Sequence, residues 1–364
     1  MENEKSMEAK LNEAQKREAD KKLEIKRTVL FVLFVFVVTY GTEIFMVMPL
    51  VGSADTDQAM AAQTILSSVM FIPTFGAILI RWITKERLTV TNLMLSLKIK
   101  ENLKYYGLAW LGTAALIIFG AVFYYLLSPG RFDSELGYVN LILTEQAKQT
   151  GEQITKEIVQ RAVLFQVVIG VVMSPFANLL NCFGEEWGFR GYLLPKMMKH
   201  FKTVPAILLT GAIWGLWYAP LVFMGQSYGL GYPGYPVTGI LAMCVYCTVT
   251  GVLLSYLTIK TGSIIPAILA RGVIGGFGSI GIMFSSLDNP YNLFFGPAPT
   301  GILGGMGFVL LAAFLLTNYI RKKKRAVSNK SYHFTLAICP LWCYNTGRLD
   351  KMITRVDLSV HSFV

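Results

Sequence analysis

The sequence predicts an all-α, polytopic membrane protein with about eight transmembrane helices, and three observations lead there. Of its 364 residues 54% are hydrophobic and only 15% are charged, whereas a water-facing surface usually brings charge to about 25%. Several apolar stretches approach or exceed the roughly 18 residues that carry a helix across a hydrocarbon core. The basic residues recur in every second loop, which is how membrane helices are oriented.

The segment 1–27 alternates acids and bases and reads as a charged cytosolic helix leading into the first span, 28–50. No small-residue cleavage site follows that first apolar run, so it reads as an anchor and not as a removable leader. The second and third spans, 60–82 and 105–128, flank a loop carrying Arg81, Lys85, Arg87, Lys98, Lys100 and Lys104. A long loop of mixed charge leads to the fourth span, 162–183, and Arg190, Lys196, Lys199 and Lys202 separate that from the fifth, 204–224. Spans 237–259 and 263–285 are joined by a short turn with Lys260, and the last span, 300–320, runs into Arg321-Lys322-Lys323-Lys324-Arg325. Loops 51–59, 225–236 and 286–299 hold no Lys or Arg. The alternation predicts a multi-pass cell-membrane protein with both termini in the cytoplasm.

The chain divides on this reading into the charged segment 1–27, helices one to three with their external loop (28–159), a core of helices four to seven (160–285), the eighth helix and its basic stop (286–325), and an unassigned cytosolic tail (326–364). The tail's apolar run from Thr335 to Tyr344 is too short to span and is interrupted by Pro340. A net charge of +11 could suggest nucleic acid. Its placement at loops and ends points instead to the bilayer and its anionic lipid as partner, and no nucleic acid is expected. Cys182, Cys244 and Cys247 read as small buried hydrophobes, while Cys339 and Cys343 lack the spacing of a zinc site. Gly272 and Gly276 form a small-xxx-small pair suited to helix packing.

Chemistry concentrates in Asn181-Cys-Phe-Gly-Glu185-Glu186-Trp-Gly-Phe-Arg190-Gly-Tyr-Leu-Leu-Pro195. Two adjacent carboxylates stand where the fourth span is expected to reach the cytosolic side. Glu186 and Arg190 are four apart, so on a helix they share a face and can pair. Glu185 points about 100° away, toward a neighbouring helix. Two acids this close resist ionising together, a useful property in a general base. The same letters also suit an interfacial Glu–Arg clasp that only orients the helix.

Glu-Glu-x-x-x-Arg followed by Gly-Tyr-Leu-Leu-Pro resembles the first motif of the CAAX protease and bacteriocin-processing family (also called Abi), intramembrane endopeptidases built as a bundle of about eight helices. Trp214-Gly215-Leu216-Trp217-Tyr218-Ala219-Pro220 resembles the second motif, and Ser263-Ile-Ile-Pro266-Ala-Ile-Leu-Ala-Arg271-Gly-Val-Ile-Gly275 the third. The resemblance covers roughly 160–285. It implies a CAAX-prenyl-protease-like helical bundle, with Glu185, Glu186 and Arg190 in the catalytic positions and a hydrophobic or prenylated peptide, or a membrane protein, as partner.

The chain departs from the resemblance where imidazole would act. The second-motif histidine position holds Tyr218, near Trp214, and the third-motif histidine and asparagine positions hold Arg271 and Gly275. Tyrosine titrates near 10 and arginine above 12, so neither replaces imidazole as a base near neutral pH. Arginine cannot ligate zinc, and no metal or other cofactor is expected. His200, His333 and His361 lie outside the motifs. The expectation is a degenerate family member, a pseudoenzyme with a binding, immunity or accessory role. The alternative is an active protease cutting prenylated CAAX or bacteriocin-like peptides through Glu185. A transporter or channel fits less well, because the acids cluster at one site with no polar path through other helices.

Overall fold

A computed structural model describes residues 2–52, 55–148, 151 and 153–321 of the chain. The tail from 326, the basic residues 322–325, His333, His361, Cys339 and Cys343 lie outside them. The chain divides into two units, Met1–Leu315, which holds all but the end of the last helix described below, and Leu316–Val364, which begins within that helix.

The first helix, α1 (Glu2–Thr42), runs without a break from the charged segment into the first span. Its apolar part sorts by helical spacing. Phe31, Val35 and Thr39 are buried against the bundle, while Leu33 and Val37 are exposed at 55% and 69%. Outward apolar side chains are what a lipid-facing surface requires, since acyl chains solvate them at no cost. Two helices follow, α2 (Thr56–Val69) and α3 (Ile72–Ile83), with Pro73 opening the second of them. Next comes α4 (Ile99–Leu127). The expected external loop after it contains a helix of its own, α5 (Gly137–Ala147). Leu136 and Val139 there pack on Val159 and Val163 in a small apolar core.

The fourth span differs from its expected outline. Helix α6 (Lys156–Ala177) starts earlier than predicted and stops at a turn centred on Asn178. Helix α7 (Leu179–Glu186) then continues through a π-helical stretch, Trp187–Leu193, into α8 (Leu194–His200). The acid pair therefore does not mark a helix exit. About eleven residues of helix, roughly 16 Å, separate Glu185 from Lys196, which sits at a charged end of the bundle. Lys196 Nζ donates there to Glu24 and Glu86 at 2.8 and 2.6 Å, and Arg27 Nη1 to Glu24 at 2.7 Å. Adjacent acids resemble a helix end in a linear pattern, which carries no sign that Arg271 of another helix meets Glu185 deep inside while Arg190 of the same stretch meets Glu186.

The expected fifth span is also interrupted. Helix α9 (Thr203–Trp217) ends at Tyr218, and Pro220 opens the short helix Ala219–Phe223. Helices α10 (Val237–Thr261), α11 (Ile265–Phe277) and α12 (Met306–Arg321) complete the order. Six of the described helical segments are long and apolar enough to cross a membrane, while α9 and α12 are apolar but shorter. With no strand among the described elements, the molecule is a helical polytopic membrane protein.

Candidate functional site

Three helical stretches build the site. The first is α7 with its π-helical continuation, held close to α3. Gly184 O accepts from Thr74 Oγ1 at 2.8 Å. A Cβ on Gly188 would stand 2.3 Å from Pro73 Cβ, so the glycine within Glu-Glu-Trp-Gly is what lets α3 lie this near. That approach excludes solvent from Glu185, Glu186 and Arg190, each 0% exposed.

The second stretch is the end of α9. Trp217 Nε1 donates to Thr39 Oγ1 at 2.7 Å, and Leu216 O accepts from the Tyr40 hydroxyl at 2.6 Å. These bonds tie Trp214-to-Tyr218 to α1 and turn Tyr218 inward. The third is α11, whose start is set by Ser263 Oγ accepting from Ile265 N at 3.2 Å and by Pro266 in its first turn. Gly272 and Gly276 pack against Pro175 and Ser174 of α6, the helix-packing role their spacing suggested. Arg271 is thereby aimed at α7.

The side chains meet in two linked pairs. Arg271 Nε donates to Glu185 Oε2 at 3.2 Å and Arg271 Nη2 to Glu185 Oε1 at 3.4 Å. The Tyr218 hydroxyl donates to Glu185 Oε1 at 2.7 Å and accepts from Arg271 Nη2 at 2.8 Å. Glu186 Oε1 accepts from Arg190 Nη1 at 3.0 Å. The Trp214 ring lies between the pairs, its centroid 4.1 Å from the Arg190 guanidinium carbon and 5.5 Å from that of Arg271, within reach of cation–π attraction. Two carboxylates and two guanidiniums cancel, which is how charges are retained in a poorly solvated place.

The structure thus brings Glu185, Glu186, Arg190, Trp214, Tyr218 and Arg271 into one cluster. Gly275, one turn beyond Arg271, stands apart from the bonding. It is exposed, and a Cβ there would meet only Arg271 Nη1 at 3.8 Å and Asn178 Nδ2 at 4.0 Å. His200 closes α8 outside this cluster. The acids do not share one counter-ion, since each has its own arginine.

Both oxygens of Glu185 are engaged, one by Arg271 and the other by Arg271 and Tyr218. A general base needs a free lone pair aimed at the proton it takes; with three hydrogen bonds against about four acceptor positions, Glu185 keeps one on Oε2, beside the Arg271 guanidinium. A divalent metal does not suit the site either. Its carboxylates are already neutralised and a guanidinium lies against Glu185, where a second cation would be repelled. Among the described residues no group of three or more His, Cys, Asp or Glu could hold a metal ion.

Two features escaped the sequence reading. Asn178, whose Nδ2 donates to Ser174 O at 3.0 Å and lies near Gly275, stands at a turn that nothing in its letter signalled. Glu43 is 1% exposed with one oxygen, Oε2, lacking a hydrogen-bond partner. A lone acid inside an apolar run was the signal available for it.

Comparison with known proteins bears on this cluster directly. Residues 154–277 match the family described as type II CAAX prenyl endopeptidase Rce1-like, a range that contains all three site stretches. CAAX prenyl protease 2 of Methanococcus maripaludis is 38% identical over 53 residues, which cover 15% of this chain and 20% of that relative. The chain therefore matches about a fifth of the length of that curated relative. The helical membrane bundle and the acid cluster thus lie in and around a range, about a third of the chain, that is similar to the type II CAAX prenyl endopeptidase Rce1-like family.

Proposed function

We propose that this chain is a non-hydrolysing member of its family that acts by binding, as an immunity or accessory membrane protein toward a hydrophobic or prenylated peptide or a membrane-protein partner. The observation that carries the reading is the bidentate hold of Arg271 on Glu185, with Tyr218 on the same carboxylate. Water activation needs a base that can receive a proton near neutral pH, and the groups touching Glu185 are a phenol and a guanidinium, which titrate far above it. Purified protein in lipid should leave farnesylated CAAX peptides and bacteriocin precursors uncut, as read by mass spectrometry of the peptides. Turnover that disappears in Glu185→Ala would overturn the reading.

The orientation proposed with it puts both termini and the loop 81–104 in the cytoplasm of a cell-membrane protein, from the placement of Lys and Arg. In a cysteine-free background, Asp288→Cys is expected to react with an impermeant maleimide from outside intact cells. Lys100→Cys is expected to react only after permeabilisation. The reverse pattern would invert the topology.

A further inference from the structure

We infer that the charged end of the bundle holds a binding site for a phosphate group, filled by the headgroup of an anionic lipid. A cavity of about 500 Å³ opens there between the end of α3, the π-helical stretch with α8, and the end of α10, lined among others by Arg81, Arg190, Tyr192, Lys196 and Lys199.

Arg81 carries the argument. It is 3% exposed, and its Nε and Nη1 have no hydrogen-bonding partner within the protein. Its Nη2 makes one long contact, 3.4 Å, to Asn92 O. The guanidinium lies over the faces of Tyr192 and Trp187, with centroids at 5.0 and 6.0 Å, which fixes its plane and leaves its edge to face a ligand. Arg190 also lines this cavity, and its Nε and Nη2 have no hydrogen-bonding partner within the protein, its Nη1 being the group bound to Glu186.

The local charges do not cancel. Among the described residues Glu24 and Glu86 are the carboxylates of this end; Glu86 lines the same cavity with its Oε2 free of hydrogen bonds, and neither acid forms an ion pair with Arg81. Glu24 receives Arg27, Lys196 and Lys199 at 2.7, 2.8 and 3.1 Å, and Glu86 receives Lys196 at 2.6 Å with Arg27 3.7 Å away. Four cations (Arg27, Arg81, Lys196, Lys199) stand against two carboxylates, and the Arg190–Glu186 pair adds nothing to the balance. A surplus of positive charge with unmet, fork-shaped donors inside a cavity is complementary to a tetrahedral oxyanion. Phosphate offers the several acceptor oxygens that two guanidiniums and the exposed Lys199 can share. The site lies at the end of the bundle where the basic loops gather, the depth at which anionic headgroups reside. It does not depend on whether Glu185 cuts a peptide.

The test uses the full chain. Melting temperature is followed in neutral detergent with added sodium phosphate against chloride at matched ionic strength. It is also followed in phosphatidylcholine nanodiscs with or without phosphatidic acid. Protection by phosphatidic acid is expected, with an apparent Kd weakened about tenfold or more in Arg81→Gln, as loss of a charge-assisted fork implies. Lys199→Gln, an exposed position, is expected to weaken it about threefold, as one shared contact would. Lys100→Gln, a basic position outside the cavity lining, is expected to leave it unchanged. Protection by inorganic phosphate as well as lipid shows that the phosphate group suffices, and protection by lipid alone assigns the headgroup with its chains. If Arg81→Gln does not fold, Arg81→Lys takes its place and is expected to weaken binding through loss of the fork. The inference is overturned if neither phosphate source protects, if the Arg81 variant is protected as well as the native chain, or if Lys100→Gln loses as much as the Arg81 variant.

Discussion

Replacing Arg271 with alanine is expected to lower the melting temperature in detergent by roughly 5–10 °C. Glu185 is fully buried and relies on this guanidinium for both oxygens. Removing one partner of a buried pair typically costs about 3–5 kcal/mol, because the other charge is left uncompensated. For a domain of this size each kcal/mol moves the midpoint by about 2 °C or a little more. The geometry makes the rescue selective. Adding Glu185→Gln should restore most of the loss, since the amide still accepts from Tyr218 and carries no charge. Adding Glu186→Gln should not, because Glu186 belongs to Arg190 at 3.0 Å and its loss leaves Arg190 without its partner while Glu185 stays unpaired. A thermodynamic cycle over the four proteins measures this. Additive losses for Arg271 and Glu185, or equal rescue by either glutamine, would show that the pairing does not hold the site together.

A larger effect is expected from Gly215→Val. In Trp214-Gly215-Leu216 the glycine lies where α9 crosses α10, and a Cβ there would stand 2.4 Å from Cys244 Cα. Backbone cannot yield as the end of a flexible side chain can, so the two helices must separate. Overpacking of a rigid contact costs about 1–3 kcal/mol and more where nothing can move. Here the separation also withdraws Trp214 and Tyr218 from the acid cluster. The expected outcome is loss of most folded, monodisperse protein on size exclusion in detergent. Gly107→Ala serves as the control, because nothing lies within 4 Å of a Cβ at that position. It should be neutral or slightly stabilising, as alanine suits a helix interior better than glycine by about 0.5–1 kcal/mol. A well-folded Gly215→Val protein would mean that the α9–α10 crossing is looser than these distances allow.

The letters of the chain determined the solvent and the class of fold. Apolar runs of membrane length can satisfy their backbone in lipid only as helices or closed barrels, and runs this long are helical. They also carried the family resemblance, since Glu185-Glu186-x-x-x-Arg190 and the two later strings stand in order within the range that matches the Rce1-like family. The Glu186–Arg190 pair was legible too, because four residues on a helix bring side chains together whatever surrounds them.

What lies between helices was decided by tertiary packing. The acid pair looked like a helix end, and the helix runs on because Arg271, 85 or more positions away in sequence from either acid, supplies charge that no local pattern can announce. The split of the cluster into two ion pairs follows from the direction in which α11 aims Arg271, which Gly272 and Gly276 set by their contact with Ser174 and Pro175. Arg81 and Lys196 read as topology signals and are instead buried at 3% exposure each. Charge written along a chain fixes which side of a bilayer a segment prefers. Whether that charge is spent on water, on a neighbour or on a ligand depends on distances that exist only after the helices have packed.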